Sequence, residues 1–223
     1  EFILYPESAS LVLMEPKILI DAPLDLFIAG IGDTLAKWYE ADVQMAEIEN
    51  KSAALDISHY TAKKCKDNLL TYGEAAVEAV KAREINEAFI KTAETIIMLG
   101  GMVGGFGDHY GRVAGAHAIH NGMTALPETH DKLHGDKVSY GVLIQLVLEE
   151  KWEEIENILP LYENLNLPVS IRELGVADIE RAAWALAEKA CIPEESIHVL
   201  PGTITPERVA EAILEYETKQ SKV

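Results

Sequence analysis

His117 and His120 stand three apart in Ala116-His117-Ala118-Ile119-His120-Asn121-Gly122, His134 follows fourteen positions later ahead of Gly135, and Asp33 closes an upstream Gly30-Ile31-Gly32-Asp33. One carboxylate and two imidazoles are a donor set for a divalent ion of the zinc or ferrous type, held rigidly with one position left for water or substrate. Asp33, His117 and His134 are the candidate ligands. His117 and His120 point roughly the same way if their segment is helical. Each residue also has an ordinary reading, Asp33 as the N-terminal cap of a helix and the histidines as core rings bonded to backbone carbonyls. Spacing alone leaves both readings open.

The elements that must position these side chains are mostly helical. Asp33 precedes Thr34-Leu35-Ala36, which places it in the first turn of a helix, where the macrodipole favours the ionised form. Leu35, Trp38 and Tyr39 recur at helix spacing; Ala54, Ile57, Thr61, Cys65, Leu69 and Tyr72 then trace one face that Gly73 is expected to stop. Residues 74 to 99 predict a long helix ending at Gly100-Gly101. The seven glycines from Gly100 to Gly115 lack the G-x-G-x-x-G order after a strand, so they predict a close-packed turn and not a dinucleotide loop. Residues 137 to 150 are apolar almost all round, the pattern of a central, fully surrounded helix. Trp152, Ile155, Leu159 and Tyr162 predict a further helix that Pro160 bends or ends. Residues 176–190 and 209–216 predict two more, the last opened by Thr205 as N-cap and Pro206 in the first helical position. Ahead of all these, Phe2 to Tyr5, Leu11 to Met14 and Lys17 to Ile20 are short apolar runs expected as strands, too few for a sheet of their own.

The 223 residues, 48% hydrophobic, suffice for one large domain or a domain plus part of another. A net charge of -18 with no Lys/Arg cluster excludes nucleic acid and anionic membranes as partners. The two cysteines, Cys65 and Cys191, form no C-x-x-C pair and point to a reducing, cytoplasmic compartment, with Cys65 a small core residue. No apolar run approaches the ~20 residues that span a bilayer, and the reading is of a soluble protein. His130, among Glu128, Asp131 and Lys132, is expected to be solvated; His59, His109 and His198 lack companion donors and receive no role. The chain opens on Glu1 and on what reads as the middle of a domain, so a segment upstream is expected.

Three stretches, Gly30-Ile31-Gly32-Asp33-Thr34-Leu35-Ala36-Lys37-Trp38-Tyr39-Glu40-Ala41, Gly115-Ala116-His117-Ala118-Ile119-His120-Asn121-Gly122-Met123-Thr124 and Leu133-His134-Gly135-Asp136-Lys137-Val138-Ser139-Tyr140-Gly141, resemble the metal-binding domain of glycerol dehydrogenase and its relatives in the iron-containing alcohol dehydrogenase superfamily. The resemblance covers almost the whole chain. It implies a mainly all-α fold, the helical bundle of dehydroquinate synthase-like C-terminal domains, over residues 25–223. Residues 1–24 would then be remnant strands of a truncated α/β nucleotide-binding domain. It implies Asp33, His117 and His134 as metal ligands, with His120 beside them or facing substrate. Lys37 stands where the iron enzymes carry a further histidine, which favours zinc over iron. The dehydroquinate synthase branch, with glutamate first and a G-H-x-x-G-H pattern, is set aside. The implied activity is NAD(P)-linked interconversion of an alcohol and its ketone in a homo-oligomeric parent. Glycerol dehydrogenase suggests vicinal diols. A sister group that reduces 2-oxo acids to 2-hydroxy acids shares the motifs and is at least as close around Trp38-Tyr39-Glu40 and Gly104-Gly105-Phe106-Gly107-Asp108. No glycine-rich nucleotide turn is present, so the isolated chain is expected to bind NAD(H) weakly and to turn nothing over. The alternatives are an inactive metal-binding fragment and an assembly module without metal.

Overall fold

The computed structural model describes residues 9–221, and every regular element among them is helical. The expected strand at Phe2 to Tyr5 lies outside the described residues. Leu11 to Met14 form no regular structure, and Lys17 to Ile20 fall largely in a helical turn, α1 (Pro16–Leu19), correcting both strand readings. The cause is local: Glu15 accepts a hydrogen bond from the Lys17 N–H and Pro16 pre-sets the first helical position. Among the described residues there is also no other extended segment to complete a ladder.

Helix α2 (Leu24–Met45) begins nine residues before Asp33, so the first-turn and N-cap readings of Asp33 give way to a mid-helix position. Gly30 and Gly32 look like punctuation, but Phe27, Ile31, Leu35 and Tyr39 bury one stripe straight through them. Helix α3 (Ala53–Ala82), capped by Ser52, likewise passes through Gly73, which lies against Leu161, and ends where Arg83 takes the left-handed conformation at φ 55°. The glycine run is a second correction. After α4 (Glu87–Glu94) a π turn over Thr95–Leu99 leads directly into α5 (Gly100–Gly107), where a turn was expected. Asn68 donates to Thr95 Oγ1 at 2.9 Å where the π turn begins, and Ser58 Oγ donates to the Val103 carbonyl at 2.7 Å, so α3 holds the run in place. Glu87–Gly111 is long and apolar enough to cross a membrane by length and composition, which the sequence reading did not anticipate; in the fold it packs along α3.

The site-bearing helices follow: α6 (Gly115–Gly122), α7 (His134–Leu148), α8 (Trp152–Leu165), α9 (Ile179–Ala190) and α10 (Pro206–Gln220). Pro160 does not end α8, which closes at Asn166 in the left-handed region. Thr205 caps α10 and Pro206 opens it as the sequence predicts. Helix α7 is the axis of the fold: Val138, Tyr140, Val142, Leu143, Ile144 and Leu146 are fully buried, and α2, α6, α8 and α10 surround it. The buried tyrosine hydroxyls around α7 are paired, Tyr140 donating to Glu217 at 2.9 Å and Tyr162 to the Ser139 carbonyl at 3.0 Å.

The α6–α7 crossing depends on Gly141, where a Cβ would fall 2.3 Å from the Ala116 carbonyl oxygen. Backbone cannot yield there as a side-chain tip could. Gly141→Ala is expected to destabilise the chain by about 1–3 kcal/mol, read as a lower urea midpoint at unchanged slope; an unchanged midpoint would mean that the crossing is loose.

Candidate metal centre

Three helices meet at the sequence-predicted residues. Asp33 comes from the middle of α2, His117 and His120 from α6, and His134 is the first residue of α7. The start of α7 lies on the backbone of α2: a Cβ on Gly135 would sit 1.9 Å from the Ala29 carbonyl oxygen, so only glycine admits the approach that brings His134 over Asp33.

Asp33, His117 and His134 each offer one ligand atom, and these lie within 4.8 Å of one another. Asp33 Oδ1 is 3.5 Å from His117 Nε2 and 3.3 Å from His134 Nε2. Donors bound to one tetrahedral ion at ~2.1 Å stand about 3.4 Å apart. Both rings stand too far off for a normal hydrogen bond, and Asp33 Oδ1 is buried without a hydrogen-bond partner among the described residues. The residues present therefore fit a divalent ion. An orphaned carboxylate oxygen between two ring nitrogens is a costly arrangement unless a cation completes it.

Sequence reasoning missed Glu40. It lies two turns after Asp33 on the same helix, is 1% exposed, and accepts the His117 Nδ1–H at 2.7 Å on one oxygen. The other oxygen takes the backbone N–H groups of Ala114 and His117 at 2.7 and 2.9 Å. With Nδ1 committed to Glu40, Nε2 is the His117 nitrogen that faces Asp33 and that a metal would take on displacing its proton, the carboxylate–histidine–metal arrangement. The signal available in the sequence was an acid seven residues after Asp33, flanked by the buried Tyr39 and Ala41. Gln145 of α7 joins the same junction, accepting the Ala116 N–H at 2.9 Å and donating to the Tyr39 carbonyl at 3.0 Å.

The electrostatics follow from these contacts. Burial pushes the Asp33 carboxyl up, but the His117 and His134 rings and the charge of Lys37 outweigh it and hold it well below the usual carboxylate range. Burial also opposes ionisation of Glu40, and again His117 beside it prevails. Burial lowers the His117 pKa, but the Glu40 and Asp33 carboxylates carry it up to about 9, so an arriving cation displaces a proton. His120 goes the other way: burial first, then the neighbouring His134 ring and Lys137, push it to about 4. It stands next to the centre, its Nε2 3.2 Å from His134 Nδ1.

The remaining histidines lie apart from this centre. His130 is exposed, as expected. His59, given no companion in the sequence reading, pairs with Asp42 at 2.8 Å and stacks on Trp38. His109 is exposed beside Asp108, and His198 meets the Ile192 carbonyl at 3.2 Å. Cys65 is fully buried, and that burial pushes its thiol up to about 12, the inert core residue expected.

No family model matches the chain. It is 38% identical over 217 residues to hydroxycarboxylate dehydrogenase A of Escherichia coli (strain K12), a match covering 96% of this chain and 60% of that protein. It is 39% identical over 223 residues to glycerol dehydrogenase of Citrobacter freundii, covering 96% and 59%. The crystal structure of glycerol dehydrogenase from Schizosaccharomyces pombe superposes with a TM-score of 0.86 at 30% identity, covering 98% of this chain and 56% of that one. The chain thus spans about three fifths of the length of the curated relatives it matches, their C-terminal part.

Glu40→Ala is expected to cost about 3–5 kcal/mol in chemical denaturation, because it strips a buried charge partner and leaves two N–H groups of α6 without acceptors. Glu40→Gln keeps an acceptor for the backbone but turns an amide toward Nδ1, and is expected to weaken zinc binding about 10- to 100-fold in a calorimetric titration. Equal zinc affinity in the two proteins would remove Glu40 from the centre.

Proposed function

We propose that this chain, a relative of glycerol and hydroxycarboxylate dehydrogenases over about three fifths of their length, is the metal- and substrate-binding part of an NAD(P)-linked dehydrogenase that interconverts a small alcohol and its ketone. The observation that carries the reading is the convergence of Asp33, His117 and His134 on one point, with a buried Asp33 oxygen that has no hydrogen-bond partner among the described residues. Three protein donors of this type suit zinc and leave a position for substrate.

Asp33, His117 and His134 would hold a divalent cation, which would supply Lewis acidity toward a substrate oxygen. The chain's own residues prepare for it. Asp33 contributes the negative charge that draws the ion, Glu40 aims the His117 ring, and His120 fills the space beside His134. Residues 25–223 constitute this half. Residues 1–24 are assigned to a remnant of the nucleotide-binding half, and NAD(P) binding to the part of the relatives' length that this chain does not cover. The compartment we assign is the cytoplasm, with a homo-oligomeric parent.

Between the two substrate classes, Lys37 favours the 2-hydroxy acids over vicinal diols. It follows Asp33 by one helical turn, is half-buried, and its charge acts on Asp33, Glu40 and His117. Among the described residues it makes no hydrogen bond or ion pair, which leaves its ammonium for a substrate carboxylate. A second reading, metal binding without turnover, is favoured for the isolated chain by its partial coverage of the relatives.

Metal analysis of the purified chain is expected to give one zinc per chain, lost in Asp33→Ala, His117→Ala and His134→Ala and kept in His120→Ala. Retention of zinc by the first three would sink the assignment. In the full-length parent, Lys37→Ala is expected to lower kcat/KM for 2-oxobutyrate roughly 10- to 100-fold, the worth of a charge-assisted hydrogen bond, and to leave glycerol nearly unchanged. The opposite selectivity would assign the diols instead.

A further inference from the structure

Glu40 orients His117 by touching it, whereas His134 touches no carboxylate through its outer nitrogen. Its Nδ1 meets His120 Nε2 at 3.2 Å; His120 Nδ1 meets Asn121 Oδ1 at 3.0 Å; and Asn121 Nδ2 meets Glu195 Oε2 at 2.9 Å. We infer that Glu195 is a positioning residue for the metal centre, which through Asn121 and His120 dictates the ring nitrogen that His134 presents to Asp33. The inference deepens the metal reading and rests on it for its consequence, although the hydrogen-bond order can be observed without an ion.

The argument is one of donors and acceptors. An ionised carboxylate can only accept, so the Asn121 amide must turn its NH2 toward Glu195 and its oxygen toward His120. That oxygen requires a hydrogen on His120 Nδ1. A neutral imidazole has one donor and one acceptor, so His120 Nε2 is left as the acceptor and His134 Nδ1 must donate to it. The lone pair of His134 then resides on Nε2, 3.3 Å from Asp33 Oδ1. Reverse any link and the ring turns a hydrogen toward the ion. Glu195 is itself fixed in place: its N–H bonds the Ile192 carbonyl at 3.0 Å, and the next residue, Ser196, donates to the Ala114 carbonyl at 2.6 Å, where α6 begins. Both His117 and His134 thus end on an acid, one directly and one through two intervening side chains.

The deciding experiment observes ring hydrogens by 15N–1H correlation spectroscopy of the ion-free chain and zinc affinity by titration. In the unaltered protein the His120 hydrogen is expected on Nδ1, and Glu195→Ala is expected to redistribute it between the two nitrogens. The same variant should weaken zinc binding about tenfold, at the lower end of what such indirect supports contribute. Introduced into His120→Ala, it should weaken binding no further, since the link is already cut. Glu195→Gln, which preserves size and fold but can donate as well as accept, should act in the same direction by less. A His120 hydrogen on Nε2 in the unaltered chain overturns the proposal, as do penalties that add in the double variant. If the unaltered chain takes up no zinc, the metal reading falls, and the position of the ring hydrogen still decides the relay.

Discussion

A carboxylate in a protein interior must be hydrogen-bonded on nearly every side or it drags the fold apart. Glu40 meets that demand with the opening turn of α6. Its two oxygens take the Ala114 and His117 N–H groups and the His117 ring, so the charge sits at the positive end of a helix that has no side-chain cap of its own. Neither partner could be placed without the other. The start of α6, the rotation of that helix about its axis and the angle of the His117 ring are therefore set by one residue on α2. Gln145 repeats the device from α7, taking the Ala116 N–H that lies between those of Ala114 and His117 and returning a hydrogen bond to α2.

Close backbone approach makes this network reachable. Side chains as short as aspartate and histidine can share a point only if their helices nearly touch. The crossings at Gly135 against Ala29 and Gly141 against Ala116 supply that contact. Around them the core is conventional, an apolar α7 enclosed by the stripes of its neighbours. Precision is concentrated at the two glycines and the buried acid.

How much of this could be read from the chain follows from the range of each interaction. The surrounded α7 was visible because its apolar residues continue without a polar face, and the α10 start because Thr205 and Pro206 act within four residues of each other. Asp33, His117 and His134 were recognisable as a set only through the resemblance of three whole stretches, since their spacing also suits a cap and two core rings. The glycines misled in a consistent way. Gly32 reads locally as the residue before a helix start and Gly73 and the run from Gly100 as helix stops, yet tertiary contacts from Ser139, Leu161 and α3 hold these segments helical, and that information lies far away in sequence. Pairing had the same difficulty. Glu40 looks like any surface acid until α6 lands on it, and Asn121 with Glu195, 74 positions apart, has meaning only once the chain between them has folded.

The three donors stand at positions 33, 117 and 134, on separate helices, and none has another within the same local segment. An unfolded chain would have to close two long loops to gather them, and would hold an ion no better than scattered carboxylates and imidazoles do. An ion bound here therefore behaves as a reversible cross-link of the native topology. Its occupancy and the folded population rise and fall together, so that chelation and unfolding become two descriptions of one equilibrium.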